Sequence, residues 1–538
     1  MADRSTPVPP PAPPVPLAPA ASLMPTPAYP TTRLAAAPTA QPPTQPADRR
    51  VLRRTGGGFH AARLAVIEDD AVVGEGDTAL HDELPATLSP AAALTDVPPI
   101  TIEFALSVAS RGTETAPVRG VVTLRAPSET QTPRVHADLV FVLDVSGSMA
   151  GEKLVMLKRT LRWLASDACL TADDRVAVVA FDDTAWVEMP LRFMNAQGKA
   201  TLTAVADSLR PRGGTDIAAG IKKATEMLSA RRFVNASAAV LLLSDGEDPS
   251  AKLKSEGTMR ALARVATVRA VGLGEEHDAA LLKHLADAGR GDYAFANEAK
   301  EVAPTVGAAV STATTAVASR LKELSVAAHF SDGTEKMVIT KNELGTMAAG
   351  ELKHFCLSTD TPPTRLEAHL EYYMPGAAVA KLVSALKELP EGDGAPAPRE
   401  VMVFVELQEL REATTAAAAE VSRIMQSVHD SMDNAGRQCR DILKAAVLRI
   451  ESSSVATEST AVALLADLEW MMQGFTGRSW QSHARGAGGG SLAAVLSVQA
   501  RHTGMRATGG GDYLYATPST IRTARDAVHA TQLMNDDD

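Results

Sequence analysis

Residues 138–149 have the sequence Asp138-Leu-Val-Phe-Val-Leu-Asp-Val-Ser-Gly-Ser-Met149. The continuous apolar run that follows Asp138 predicts a strand buried on both faces, as in a parallel sheet. Comparable runs recur further along the chain, at residues 175–180, 238–243 and 267–273. Between the strands lie leucines with helical spacing, such as Leu154, Leu157, Leu161 and Leu164. This alternation predicts an α/β fold, a doubly wound and mostly parallel Rossmann-like sheet over residues 136–318.

Oxygen-bearing side chains follow these strands, where open α/β sheets bind their ligands. The first loop carries Asp144, Ser146 and Ser148, which alternate along an extended chain and so lie on one side of it. A later strand is followed by Asp245, and the segment between the two loops contains Thr215 directly after a pair of glycines. We expect these five side chains to converge on one site.

Two carboxylates and three hydroxyls form a set of hard oxygen ligands, which suits Mg²⁺, Mn²⁺ or Ca²⁺ rather than zinc or copper. The carboxylates of Asp144 and Asp245 just balance the charge of a divalent cation, and the hydroxyls add no formal charge. Such a cation can still accept a carboxylate from another protein. The sequence therefore predicts metal-dependent binding of an Asp or Glu side chain of a protein partner.

By these residues the chain resembles the von Willebrand factor type A (vWA) family, whose metal-ion-dependent adhesion site has the pattern DxSxS, then Thr, then Asp. All five positions of that pattern match, at Asp144, Ser146, Ser148, Thr215 and Asp245. The longer string at residues 144–154 is similar to a subgroup that contains the plant RING-type vWA proteins and the heavy chains of inter-alpha-trypsin inhibitor. The likeness continues at residues 174–181 and 242–246 and, with flanking segments, spans roughly residues 100–480.

The chain departs from both groups of that subgroup. The plant proteins carry a cysteine-rich RING finger that recruits a ubiquitin-conjugating enzyme, and the three scattered cysteines Cys169, Cys356 and Cys439 cannot form one. The heavy chains are secreted, and residues 1–10 lack the charged-then-apolar order of a secretory signal. The resemblance therefore implies metal-assisted partner binding and no enzyme activity.

Strand-like alternation appears on both sides of the α/β segment. Before it, residues 97–127 form the first part of a predicted β-sandwich, and after it, residues 320–407 form the second part. The candidate strands of the second part are residues 324–330, 336–340, 351–357, 365–373 and 401–407. Charged and Gly- or Pro-containing breaks separate them, as in antiparallel sandwiches. The vWA segment is thus predicted to be inserted in the sandwich.

The chain beyond the sandwich changes to a helical pattern. Residues 413–429, 438–450 and 459–475 each have a helical apolar face, which predicts packing helices within a region of residues 408–475. The remaining residues, 476–538, contain two glycine clusters and are predicted to be a loosely structured tail.

Proline dominates the start of the chain, where residues 1–50 contain 15 of its 33 prolines. Dense proline with few large apolar side chains predicts a disordered Pro/Ala-rich tail over residues 1–95. Residues 7–19 could adopt a polyproline II helix and bind an SH3- or WW-type groove, although a solubilising linker explains the same composition.

Composition narrows the class of protein further. The net charge of −11 argues against binding nucleic acid, because no excess of basic residues is present to contact phosphates. The sparse, odd cysteine count favours a reducing compartment. No apolar run reaches the roughly 20 residues of a membrane span. We therefore predict a cytoplasmic protein, with its oligomeric state left open.

Other polar residues near the five ligands have two interpretations each. Asp216 and Glu247 adjoin the ligands and could orient them, or could cap helix N-termini. For Asp182 and Asp183 we favour a solvated turn over a border of the site. The histidines His277 and His284 are expected on a helix surface rather than among the ligands.

Two further function classes remain open. A magnesium-dependent phosphatase or nucleotide hydrolase could use the same scaffold, but Ser146 stands where aspartyl phosphatases need a second acid, and no P-loop motif is present. A structural scaffold, such as an adaptor in the ubiquitin pathway, could use the metal only to stabilise loops. Turnover of a phosphoester and chelator-sensitive partner capture distinguish these classes.

Overall fold

The computed structural model describes residues 97–110, 117–166, 169–245, 248, 251–274, 277–296, 301–392, 394–427, 432–473, 475, 522–523 and 525–527. The strands of this part, numbered along the chain, are β1 (Thr101–Leu106), β2 (Val118–Arg125), β3 (Ala137–Asp144), β4 (Arg175–Phe181), β5 (Ala185–Phe193), β6 (Ser237–Ser244), β7 (Thr267–Leu273), β8 (Tyr293–Ala296), β9 (Ala316–Ala318), β10 (Arg320–His329), β11 (Glu335–Asn342), β12 (Met347–Ala348), β13 (Leu352–Thr359), β14 (Arg365–Tyr373) and β15 (Lys381–Glu388). Its helices are α1 (Glu152–Leu164), α2 (Ala196–Ser208), α3 (Ile217–Ala230), α4 (Ala251–Leu262), α5 (Ala279–Ala288), α6 (Val302–Thr314), α7 (Arg399–Ser427), α8 (Met432–Glu451) and α9 (Ser459–Gln473).

Six strands of the described chain form the central sheet, in the order β5-β4-β3-β6-β7-β8. Neighbouring strands are parallel, except that β4 and β5 form an antiparallel pair at one edge. The chain winds outward on one side from β3 through β4 and on the other from β6 through β7. The two strands β3 and β6 therefore flank the topological switch point of the sheet. The predicted doubly wound α/β fold is confirmed.

Helices cover both faces of the central sheet, as the sequence of β3 requires. Alternate side chains of this strand enter two separate cores: Leu139, Phe141 and Leu143 pack with α1, α2 and α6. Val140 and Val142 pack on the other face with α3, α4 and α5. Every residue of β3 is buried, which is why its apolar residues run continuously.

Two antiparallel sheets share a third hydrophobic core. Within the described residues the first, which we call the split sheet, has the order β1-β2-β13, and the second, the outer sheet, has the order β11-β10-β14-β15. Leu124 of the split sheet, and Leu324 and Leu370 of the outer sheet, are fully buried in this core. The split sheet joins segments that precede and follow the α/β layer in the chain, because β13 pairs with β2 along its whole length. The predicted insertion of the α/β segment into a β-sandwich is confirmed.

The last of the predicted strands is wrong. Residues 401–407 belong to α7, which begins at Arg399 directly after Pro398. Val405, Leu410 and Ala418 of this helix are buried. The β-branched residues of this stretch suggested a strand, but α7 packs on β1, β2 and β13, so its apolar side chains are buried as a helix. The sandwich strands that follow the α/β layer end with β15.

The three C-terminal helices pack on one another around a fourth core, to which Val421, Leu443 and Leu464 each contribute a fully buried side chain. The described residues contain no helix long and apolar enough to cross a membrane. The predicted disordered tail, residues 1–95, lies outside the described residues, as does most of residues 476–538. Of the latter segment, Ala527 is buried in the core beside α1 and α6.

Candidate metal centre

The predicted ligands lie at the carboxyl edge of the central sheet. Asp144 is the last residue of β3, and Asp245 directly follows β6. β3 and β6 are parallel neighbours with Leu143 opposite Leu243, so Asp144 and Asp245 both lie at the switch point, offset by one residue. Ser146 and Ser148 lie in the loop after β3, the second of them within a short 3-10 turn.

Hydrogen bonds connect four of the five predicted ligands directly. The Asp144 carboxylate accepts from the Ser146 backbone N–H at 2.9 Å through Oδ1 and from the Ser244 hydroxyl at 2.5 Å through Oδ2. The Ser146 and Ser148 hydroxyl oxygens are 3.0 Å apart. Ser148 in turn donates to Asp245 Oδ1 at 2.9 Å. The two carboxylates and two hydroxyls thus form one continuous network.

Backbone contacts bring the loop of the fifth residue, Thr215, against the first loop. The Gly147 N–H donates to the Gly213 carbonyl at 3.1 Å. The Arg212 N–H donates to the Val145 carbonyl at 2.7 Å. Gly213 has a φ of 66°, a conformation that glycine adopts without strain. The Thr215 side chain is half-buried at this junction.

The turn that contains Asp182 and Asp183 borders the site, so the expected solvated turn is wrong for Asp182. This residue is only 8% exposed, accepts from the Thr184 N–H at 2.8 Å and forms an ion pair with Arg212 at 2.9 Å. Asp183 is exposed, yet its carboxylate accepts from the Gly214 N–H at 2.9 Å. The turn follows β4, the neighbour of β3, and this adjacency places it beneath the Thr215 loop.

Helix capping accounts for Asp216, one of the two acids adjoining the ligands. Its side chain accepts from the Ala219 N–H at 2.9 Å at the start of α3. Lys254 lies 3.4 Å from its other oxygen. Glu247, the second acid, lies outside the described residues.

The Asp144 side chain is fully buried, and this burial raises its pKa above the ordinary value of an aspartate. Hydrogen bonds from Ser146 and Ser244 partly oppose the effect by stabilising the charged form, while the negative charge of Asp245 adds to it. A buried carboxylate contacted by neutral donors is stabilised by a nearby positive charge.

A lysine that the sequence interpretation missed lies at the other carboxylate. Lys153 Nζ is 2.5 Å from Asp245 Oδ2. The lysine occupies the first turn of α1, the helix that follows the Ser146–Ser148 loop. The sequence could have indicated this lysine, because it lies close to the DxSxS motif and the first turn of a helix that starts at this loop lies beside the site.

His277 is fully buried, so its expected position on a helix surface is wrong. Its Nδ1 lies 2.6 Å from the Gly274 carbonyl oxygen, which can only accept, so Nδ1 carries the proton. Its Nε2 then accepts from the Tyr293 hydroxyl at 2.6 Å. Burial lowers the pKa of His277 from 6.5 to about 4. The ring is a packing element of the β7 end, whereas His284 lies half-buried on α5.

The donor set of the site fits a hard divalent cation. Asp144, Asp245, Ser146, Ser148 and Thr215 offer oxygen atoms alone, and two of these residues are carboxylates held in a hydrogen-bonded network. The described chain contains no cluster of three or more His, Cys, Asp or Glu side chains that could hold a metal. Any metal held at this edge of the sheet therefore relies on hydroxyl ligands beside the two carboxylates.

Comparison with known proteins identifies the central region. Residues 139–247 match the family model of the von Willebrand factor type A domain. The chain is 38% identical over 121 residues to "E3 ubiquitin-protein ligase WAV3" of Arabidopsis thaliana, a match that covers 22% of this chain and 16% of that protein. It is 27% identical over 172 residues to the inter-alpha-trypsin inhibitor heavy chain H2 of Mus musculus, over 29% of this chain and 17% of that one. The matches thus span about a sixth of each relative.

Among solved structures, the von Willebrand factor type A protein of Catenulispora acidiphila has a TM-score of 0.46 and 16% sequence identity, and the match covers 71% of this chain and 90% of that one. The resemblance inferred from the DxSxS, Thr and Asp positions is confirmed by the family match and by these relatives. The match to the von Willebrand factor type A domain covers the part of the central layer from β3 to β6, residues 139–247.

Proposed function

We propose that this chain is a metal-ion-dependent protein-interaction protein. Asp144, Ser146, Ser148, Thr215 and Asp245 hold one divalent cation, Mg²⁺ or else Mn²⁺ or Ca²⁺. Through that cation the domain binds an Asp or Glu side chain of a partner protein. The observation that carries the proposal is the hydrogen-bonded network that joins four of these residues at the switch point of the sheet.

Charge explains why the site favours a cation and then an acidic partner. Asp144 and Asp245 bring two negative charges to adjacent strand ends, and the groups that contact Asp144 are neutral donors. A bound divalent cation supplies a Lewis-acidic centre for a carboxylate oxygen. The hydroxyls of Ser146 and Ser148 add ligand atoms without adding charge. The two carboxylates therefore only just neutralise the divalent cation, which can still accept a third carboxylate from a partner.

The loops argue for a binding role rather than a purely structural one. The Gly147 N–H to Gly213 carbonyl bond and the Ser148 to Asp245 bond already tie the three loops together through protein atoms. A cation is therefore not needed to order these loops, which supports its use in recognition.

Relatives of this domain support the same class of function. Domains of the vWA family commonly mediate protein interactions, and the plant relative is named as a ubiquitin ligase. We do not extend ligase activity to this chain, since the matched segment covers 16% of that protein. We propose a non-enzymatic role, with domain boundaries at residues 97–127 and 320–388 for the sandwich and 136–318 for the vWA domain, and with a helical region that begins at Arg399.

Titration calorimetry with Mg²⁺ and Mn²⁺ tests the cation. Asp144→Ala removes a charge and a ligand together, so we expect cation binding to be lost while the fold, followed by circular dichroism, persists. Thr215→Ala removes one neutral oxygen, and we expect affinity to fall by about tenfold, or about 1.4 kcal/mol. Asp173→Ala is the matched control, because Asp173 is an exposed aspartate of the same domain. Equal binding by wild type and Asp144→Ala contradicts the proposal.

Affinity capture tests the partner. The immobilised full chain should retain specific proteins in Mg²⁺ and release them in chelator, and Thr215→Ala should retain fewer of them at unchanged thermal stability. A synthetic peptide from a retained protein should lose binding when its Asp or Glu is replaced by Asn or Gln. Capture that is indifferent to chelator removes the role assigned to the cation.

A further inference from the structure

Lys153 places a positive charge inside the candidate metal centre. Its Nζ is 2.5 Å from Asp245 Oδ2, while the other oxygen of Asp245 accepts from Ser148. The Asp245 side chain is fully buried, so both of its oxygens depend on protein partners. The ammonium is therefore the group that neutralises this carboxylate when no divalent cation is bound.

The two carboxylates of the site differ in the groups that contact them. Asp144 accepts from the backbone N–H of Ser146 and the hydroxyl of Ser244, both neutral donors. Asp245 receives the charged ammonium of Lys153. Cation binding at Asp144 displaces no charge, whereas at Asp245 it meets a competing positive charge.

The position of Lys153 allows its side chain to move away. The side chain is 37% exposed, although its partner carboxylate is buried. Its stem lies over Gly274, where an added Cβ would be 3.2 Å from Lys153 Cε. A strongly hydrated ammonium on a flexible four-carbon stem can rotate into solvent without disturbing the core.

We propose that Lys153 is a tethered counter-ion of Asp245, which must leave this carboxylate before it can serve as a metal ligand, and that Lys153 thereby sets the cation affinity of the site. This inference rests on the proposed function for the cation. In the metal-free state Lys153 stabilises the loop after β6, and in the loaded state its ammonium faces solvent. At Asp245 the divalent cation thus replaces the ammonium of Lys153, rather than binding to a carboxylate that has no counter-ion.

Mn²⁺ titration of the full chain, with Lys153→Met against wild type, tests the exchange. We expect Lys153→Met to bind Mn²⁺ about tenfold more tightly, because no ammonium has to be displaced and one repelling charge is gone. In chelator, the same variant should melt about 2–4 °C below wild type, since buried Asp245 loses its counter-ion. Lys153→Arg keeps the charge and should retain both the weaker affinity and the wild-type melting temperature.

Lys158→Met is the matched control, a half-buried lysine on the same helix, and it should behave as wild type in both measurements. Mn²⁺ affinity of Lys153→Met equal to or below that of wild type overturns the competition. If Lys153→Met binds Mn²⁺ and wild type does not, the competition by Lys153 is supported, but the proposed metal-dependent function of the native chain is contradicted. If neither binds Mn²⁺, the proposed function fails, and the melting comparison in chelator decides alone whether Lys153 is the counter-ion of Asp245.

Discussion

Acidification should destabilise the protein through His277, whose ring is fully buried. The ring lies next to Gly274, over which the Lys153 side chain packs. Burial lowers the pKa of His277 from 6.5 to about 4 in the folded protein. Between these values the unfolded chain binds a proton and the folded chain does not, so stability falls as the pH falls through this window. Lowering the pH from about 7 to about 5 should cost about 2 kcal/mol by this linkage.

The assay is urea unfolding of the full chain at both pH values, with His277→Asn beside wild type. The asparagine amide can still donate to the Gly274 carbonyl but carries no titratable ring. The His277→Asn variant should be less stable than wild type at neutral pH, because the packing against Tyr293 and Phe295 is lost. On acidification, however, its stability should fall by about 2 kcal/mol less than that of wild type. His136→Asn, which removes an exposed ring, should retain the full pH dependence. Identical pH dependence in wild type and His277→Asn would refute the reasoning.

Two further predictions concern the packing that supports the site, and denaturant unfolding measures both. Leu241→Ala, in the centre of β6, should lose about 3 kcal/mol because the side chain is fully buried, whereas Leu382→Ala, at a side chain 67% exposed, should change stability by less than about 0.5 kcal/mol. Equal losses would mean that Leu241 is not buried in the core as described. Gly291→Ala should destabilise by about 2 kcal/mol or more, since its Cβ would lie 1.9 Å from the Val268 carbonyl oxygen, while Gly257→Ala, in open space on α4, should gain about 0.5–1 kcal/mol. A neutral Gly291→Ala would contradict the close approach.

The parts of the fold that the sequence predicted well are those with a local signal. A strand buried on both faces needs a largely apolar run, and β3, β4, β6 and β7 each have one, although Arg269 interrupts that of β7. The DxSxS spacing likewise depends on a single loop, so Asp144, Ser146 and Ser148 could be placed together from their positions in the chain. Asp245 followed from the end of the neighbouring strand.

The errors arose where tertiary contacts decide the outcome. Residues 401–407 are rich in β-branched side chains, but their burial against the split sheet favours a helix. Strand β15 was missed because it is an edge strand whose apolar Leu382 and Leu386 face solvent, which leaves little burial pattern to detect. His277 and Asp182 are buried in the folded chain, where His277 contacts Tyr293 and Asp182 contacts Arg212, and the residues adjacent to them in sequence do not reveal these contacts. The disorder of residues 1–95 and the cytoplasmic location stay predictions.

The two aspartates of β3 explain why the candidate metal centre lies at the carboxyl end of this strand. Both Asp138, near its start, and Asp144, at its end, are fully buried. Asp138 forms a two-point ion pair with Arg175, at 2.8 and 2.9 Å, and a further ion pair with Arg231 at 2.9 Å. Its charge is therefore balanced by residues of the same fold, and it serves stability.

Asp144 has the same burial on the same strand, yet its contacts are the Ser146 N–H and the Ser244 hydroxyl. Hydrogen bonds from neutral donors stabilise a buried carboxylate less than an ion pair does. Burial is the largest cause of the raised pKa of Asp144, and the nearby carboxylate of Asp245 raises it further. The fold thus leaves one of two equivalent buried charges short of positive partners, at the switch point where ligands reach the sheet. Under the proposed function a cation from outside the chain balances Asp144, and this difference between the two ends of one strand is the physical basis of that proposal.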